Sequence, residues 1–129
     1  LIFNLVEYLK VNLPTLTFVC NGWIEGSSET SINVTQTGGE PQHFFDRTDW
    51  TVQIMSRAKT NVDSKVNIES VYSLLKNKYG LTLPTVTVDS VIYAEIKTYQ
   101  ISPLQIPEYL GMDEKRLYMW VFNLKVVTK

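Results

Sequence analysis

Ile2, Leu5, Val6, Leu9 and Leu13 recur at the three- and four-residue spacing of one helical face, with Asn4, Glu7 and Lys10 between them. The spacing predicts a helix from the N-terminus to about Leu13, closed by Pro14, whose ring and missing N–H cannot continue it. Leu16 to Ile24 is rich in Phe, Val, Thr and Trp and runs into Glu25-Gly26-Ser27-Ser28, which reads as a strand and then a turn. Ile32, Val34 and Gln36 alternate with Ser31, Asn33 and Thr35, a short strand with one modestly apolar face that suits a sheet edge. Thr37-Gly38-Gly39-Glu40-Pro41-Gln42-His43 predicts a break, because two glycines release the backbone and a proline removes a donor. Trp50, Val52 and Ile54 then alternate with Thr51, Gln53 and Met55 in a strand that reaches Arg57.

A second helix is predicted from a cap at Asp63, with Ile68, Val71, Tyr72, Leu75 and Tyr79 as its stripe and Gly80 as its left-handed terminus. Lys76 and Lys78 then fall in its last turn, against the negative end of the helix dipole. Pro84 opens the run Thr85 to Val88, and after Asp89-Ser90 a second run reaches Tyr99; a bent strand or a tight hairpin would produce this. Residues 101–115, with Pro103, Pro107 and Gly111, read as a long irregular connection. Tyr118, Trp120, Phe122, Leu124 and Val126 share one uninterrupted apolar face, which predicts a central strand under a helix. Together the elements predict one α+β domain over residues 1–129, a mixed and mainly antiparallel sheet packed with two main helices.

A chain of 129 residues and 14.8 kDa fits a single domain that buries about two-thirds of its unfolded surface. With 44% hydrophobic and 19% charged residues, disorder over most of its length is excluded. Twelve basic against 13 acidic residues leave a net charge of -1, so bulk attraction to nucleic acid or anionic lipid does not follow. The single Cys20 excludes an internal disulfide and a multi-cysteine zinc site, and it reads as a small apolar core residue. The first 13 residues, interrupted by Asn4, Glu7 and Lys10, read as neither a signal peptide nor a membrane span.

Catalytic chemistry finds little support. Nucleophilic Ser or Cys usually needs a basic partner, and His43 is the one histidine. The acids Asp46 and Asp49, and Asp113 and Glu114, lie on predicted loops without the spacing of a calcium site. There is no dinucleotide fingerprint and no P-loop, and the Asn33-Val34-Thr35 sequon reads as a chance match. The chain is therefore read as a non-enzyme without a cofactor or metal. Phe44-Phe45 and Tyr109 sit on predicted loops beside Gly and Pro, a composition that fits a protein-binding surface and structural anchoring equally.

The order helix, strand, edge strand, Gly-Gly-x-Pro loop, strand ending in Arg57-Ala58, helix, and the run Pro107-Glu108-Tyr109-Leu110-Gly111-Met112-Asp113-Glu114-Lys115-Arg116 before an aromatic strand resembles the tail terminator proteins of long-tailed bacteriophages, often labelled minor capsid proteins. The resemblance covers nearly the whole chain. It implies a hexameric ring at the head-proximal end of the tail in the virion, assembled in the host cytoplasm. Such a ring stops tube growth and offers a surface to head completion or connector proteins. Its partners would be further copies of itself, the tail tube protein and a head connector, with DNA passing through the lumen and no membrane involved. The contact residues it favours are Gly38, Gly39, Pro41, Phe44 and Phe45 in one loop and Pro107, Tyr109, Leu110, Gly111 and Asp113 in the other. Lys115 and Arg116, the one adjacent basic pair of the closing run, are candidates for a DNA-facing surface. Two rival readings stand beside this one. The first is another head-to-tail connector or a tail-tube-like protein. The second is a small ligand-binding or catalytic domain in which Glu40, His43, Asp46 and Asp49 converge on a cleft.

Overall fold

A computed structural model describes residues 1–23, 30–41 and 46–129. Helix α1 spans Ile2–Asn12, and its face of Ile2, Leu5, Val6 and Leu9 is buried as the periodicity requires. Strand β1 (Phe18–Cys20) pairs in parallel with β2 (Ser31–Pro41). It is much shorter than the run Leu16 to Ile24 predicts, and Ile24 lies outside the described residues. Strand β2 is not a short edge strand. Its first half is enclosed between β1 and β3 (Thr48–Ala58), and its second half continues through Gly38, Gly39 and Glu40 to Pro41 as one side of an arm shared with β3.

The predicted break at residues 37–41 is therefore a strand with a bulge between Gln36 and Gly38. Glycine serves close approach here. A Cβ on Gly39 would lie 2.2 Å from the Asp49 carbonyl oxygen, so the arm closes tightly only because that atom is missing.

Helix α2 (Asn61–Leu75) is capped by Thr60, whose hydroxyl accepts from the Asp63 N–H at 3.1 Å. Asp63 sits in the first turn instead of capping it. The helix ends before the predicted Gly80. Lys76 takes an extended conformation and Asn77 the left-handed one, φ 51°, which a short amide side chain tolerates. Lys78 and Tyr79 form β4, so neither the predicted last-turn lysine pair nor the stripe position of Tyr79 exists.

Strand β5 (Thr82–Leu83) leads to a tight hairpin, β6 (Val86–Val88) and β7 (Val91–Tyr93), with Asp89 and Ser90 both at positive φ. The buried Asn4 amide on α1 donates to the carbonyls of Pro84 and Ala94, both at 2.9 Å, and so pins the two ends of this hairpin. Residues 101–115 are not irregular. Strand β8 (Ile96–Pro103) runs into them, and β9 (Glu108–Met112) follows the turn between the two prolines.

Strand β10 (Tyr118–Thr128) is central. Its whole length pairs with β3 on one side, while β8 and β9 share the other. The sheet order is β1-β2-β3-β10-β8-β4, mainly antiparallel with one parallel pair, and both helices pack on one face of it. Phe122, Leu124, Val126, Ile54, Val52 and Val34 meet Leu5, Leu9, Ile68, Val71 and Leu75 in that single core. On the opposite face Thr35, Gln53 and Asn123 line up across three strands, and no described helix covers them. No described helix is long and apolar enough to cross a membrane.

Candidate interaction surfaces

The arm holds the first set of predicted contact residues. Gly38, Gly39, Glu40 and Pro41 are exposed and pair with Thr51, Trp50, Asp49 and Thr48. Near its far end Arg47 donates to both oxygens of Asp49, from Nε at 3.0 Å and Nη2 at 3.1 Å, and Lys125 Nζ approaches Asp49 Oδ2 at 3.2 Å. The hydrogen bond from Arg47, reinforced by Lys125, holds the Asp49 carboxyl below the ordinary carboxylate range. A carboxylate fixed in this way is a structural anion, poorly placed to take a proton near neutral pH.

Glu40 and Asp49 line one open pocket with Gly39, Thr51, Leu104 and Lys125, which is the part of the predicted acidic cleft that exists. Asp46 is exposed and does not line this pocket, and His43, Phe44 and Phe45 lie outside the described residues. No group of three or more His, Cys, Asp or Glu side chains among the described residues could hold a metal. Cys20 lines an apolar groove between α1, β1 and β6 with Phe3, Val6, Phe18 and Val86. Burial pushes its thiol up, and Lys10 offsets this only in part, so it is no activated thiolate.

The second set lies on β9. Ile106 is 71% exposed, Tyr109 46%, Leu110 45% and Met112 47%, a density of bare apolar side chains unusual for one short segment. Tyr109 packs on Trp120 with ring centroids 5.6 Å apart and stands 6.5 Å from Tyr118. Trp120 is itself held from α2: its Nε1 donates to Asn61 Oδ1 at 2.8 Å, and Lys65 Nζ lies 5.6 Å from its ring centroid. Pro107 and Ile106 face Trp120, Tyr72, Lys65 and Glu69 across a groove of about 470 Å³.

Gly111, at φ 106°, has nothing near a notional Cβ, so glycine is needed there for conformation alone. Asp113 builds the turn that follows. Its Oδ1 accepts from the N–H groups of Lys115 and Leu117, both at 2.9 Å, and this bends the chain from β9 into β10. Lys115 and Arg116 are exposed on that turn, with Arg116 at φ 58°.

The structure thus keeps the two predicted segments on different strands, separated by β3 and β10. It also adds residues that sequence reading missed. Trp120, Asn61 and Lys65 complete the aromatic surface, and Ile106 extends it. Trp120 is half-buried and packs at the margin of the core, whereas the core reading of its strand places it wholly inside.

Searching the curated proteins returned no match. A family model described as bacteriophage tail terminator protein matches residues 24–129. The match leaves out α1 and β1 but takes in the arm, α2, β9 and every long strand. The family is one of structural phage tail proteins, not of enzymes, and its members are virion components. With most of its length matched, this chain belongs to the bacteriophage tail terminator proteins.

Proposed function

We propose that the protein forms a hexameric ring on the head-proximal end of the tail tube, ends tube polymerisation there and joins the tail to the head. Assembly takes place in the host cytoplasm. The ring's contacts are further copies of the chain, the tail tube protein and a head completion or connector protein. The observation that carries this reading is the bare apolar set on β9 and the turn before it, Ile106, Tyr109, Leu110 and Met112, held in place by Trp120 and bent by Asp113. A segment this apolar and this firmly supported is organised for burial against another protein. A net charge of -1 and a helix-free sheet face of Thr35, Gln53 and Asn123 favour a DNA path without a tight grip. On this reading Lys115 and Arg116, exposed on the turn into β10, are the candidates for a DNA-facing surface.

Light scattering coupled to size exclusion tests the ring, and electron microscopy of tail tubes grown with and without the protein tests termination. The expected results are a mass of several subunits and tubes of limited length. A monomer at every concentration, with tubes that grow unchecked, overturns the proposal.

A further inference from the structure

We propose that neighbouring copies join edge to edge, with β9 of one copy laid antiparallel against the outer edge of the β2 arm, Thr37 to Pro41, of the next. This inference rests on the ring reading above and specifies its contact. Among the described residues β1 and β4, at the two ends of the strand order, have bare outer sides, and two further stretches of edge have no strand beside them. One is β9, which pairs only with Tyr118 to Val121 of β10. The other is β2 beyond Gln36, where β1 has already ended and only β3 is paired.

Strand direction decides which edges fit. In chain order across the sheet, β2 runs one way, β3 the other, β10 with β2, and β9 with β3, because each neighbouring pair is antiparallel. Repeating the same sheet without inverting it places β9 beside β2 with opposite directions, so the alternation continues from one copy to the next. This contact uses two different surfaces, one from each copy, and it therefore builds a ring or a filament instead of stopping at two.

The two edges also lie at different levels. The middle of β9 is level with Met119 and Trp120, and the middle of the arm, through Gly39 and Trp50, is level with Val126. An offset of about six residues is about 20 Å along the strands, against about 19 Å for four strand spacings, which tilts the strands by about 45°. Closed sheets have tilts of roughly 35–45°, so the offset is of the size that closure demands.

Side chains agree with this assignment. Neither Glu108–Met112 nor residues 37–41 carries a lysine or arginine, the usual protection of a bare edge. The bulges at Thr37 and Leu110 and the proline at the arm's end hold the shared ladder to a few residues. Tyr109, Leu110 and Met112 then supply the apolar contact that so short a ladder needs.

Cysteine pairing tests the contact. In a Cys20→Ser background, Glu40→Cys is combined in one chain with Glu108→Cys, Leu110→Cys or Met112→Cys, and mild oxidation is followed by a denaturing, non-reducing gel. At least one combination should give a ladder of covalent multimers, while each single-cysteine chain stays monomeric on the gel. In parallel, Leu110→Lys should raise the concentration needed for assembly about tenfold or more at an unchanged melting temperature, since about 1.4 kcal/mol of lost contact is a factor of ten.

Assembled protein that gives no ladder in any combination overturns the edge contact and leaves the ring standing. Dimers from Met112→Cys or Leu110→Cys alone would show a twofold β9 pair and also overturn it. A chain that never assembles overturns both readings.

Discussion

Replacing Gly39 by alanine tests whether backbone contact holds the arm together. Gly39 has φ +150°, and an added Cβ would lie 2.2 Å from the Asp49 carbonyl oxygen and 2.9 Å from the Trp50 Cα. Both neighbours are backbone, so no change of rotamer relieves the overlap. Gly38, at φ +125°, has nothing within 4 Å of the same position and is the control. Gly38→Ala carries conformational strain alone, about 1–3 kcal/mol for a sparsely populated backbone region. Gly39→Ala adds an overlap that the strands remove only by parting by more than 1 Å, since ordinary contact begins at 3.4 Å.

Parting there forfeits two or three ladder hydrogen bonds at about 0.5–1.5 kcal/mol each, so the cost comes to about 1–4.5 kcal/mol. That is also its ceiling, because once the arm has opened both strain and overlap are gone. At about 3–5 °C per kcal/mol for a domain of this size, melting curves detect either loss, and local protection tells the two variants apart. Hydrogen exchange should show faster amides at residues 37–40 and 48–51 in Gly39→Ala, with residues 54–58 and β10 unchanged. Wild-type protection of the arm in Gly39→Ala, or the same loss of protection in Gly38→Ala, would refute the close approach.

Three further outcomes are expected. Phe122 is fully buried and meets Tyr72 edge-on at 5.6 Å, so Phe122→Ala should cost about 3–5 kcal/mol in a denaturant titration; a loss under 1 kcal/mol would mean this face is not the core. Tyr109→Ala should leave the melting temperature within a few degrees and weaken assembly by about 1–3 kcal/mol, read by light scattering; a fall in stability ahead of assembly marks Tyr109 as an anchor for Trp120 instead. Asp49, depressed below the ordinary 3.8 by Arg47 and then Lys125, gives stability that is fully present above that value and lost as pH falls through its folded pKa. Wild type should therefore be more stable than Asp49→Asn at pH 7 and converge with it in strong acid, and a gap that ignores pH would show that the charge is immaterial.

Which elements were legible in the sequence follows from how each is stabilised. Helix α1, the inner faces of β3 and β10 and the body of α2 announce themselves because burial on one side imposes a period of 3.6 or 2 on the apolar residues. Phe122, Leu124 and Val126 lie where alternation puts them. The α2 ends were misplaced because termini depend on single residues. Thr60 competes with Asp63 for the cap, and Asn77 supplies the left-handed turn three residues before Gly80.

Strand β9 and the far half of β2 were illegible for a different reason. Each is exposed on both faces and so carries no apolar alternation, and each contains glycine with a proline within it or just before it, which normally signals a loop. Of the candidate site, Tyr109, Leu110 and Pro107 could be named from composition. Trp120, Asn61 and Lys65 could not, because a contact between β10 and the start of α2 spans 59 residues and leaves no local trace.

These misreadings have a common physical cause, and it bears on function. A strand that is paired on both sides owes its existence to hydrogen bonds within the chain, and its residues are chosen by the core. A strand with one bare edge is chosen partly against unwanted pairing, which is why bulges, glycines and a proline collect at Thr37 to Pro41 and at Leu110 to Gly111. Apolar side chains have no place in that defence. Tyr109, Leu110 and Met112 would be a liability on a free subunit, and their presence on a bulged edge is explained if the bulges restrict pairing while the side chains reward the one pairing that remains. The tension is specific to β9. The arm carries no exposed large apolar side chain between Thr37 and Pro41, so it supplies shape and direction while β9 supplies the burial. Substitutions on β9 should therefore change how tightly copies associate. Substitutions of Gly38 and Gly39 should change whether a receptive edge forms at all.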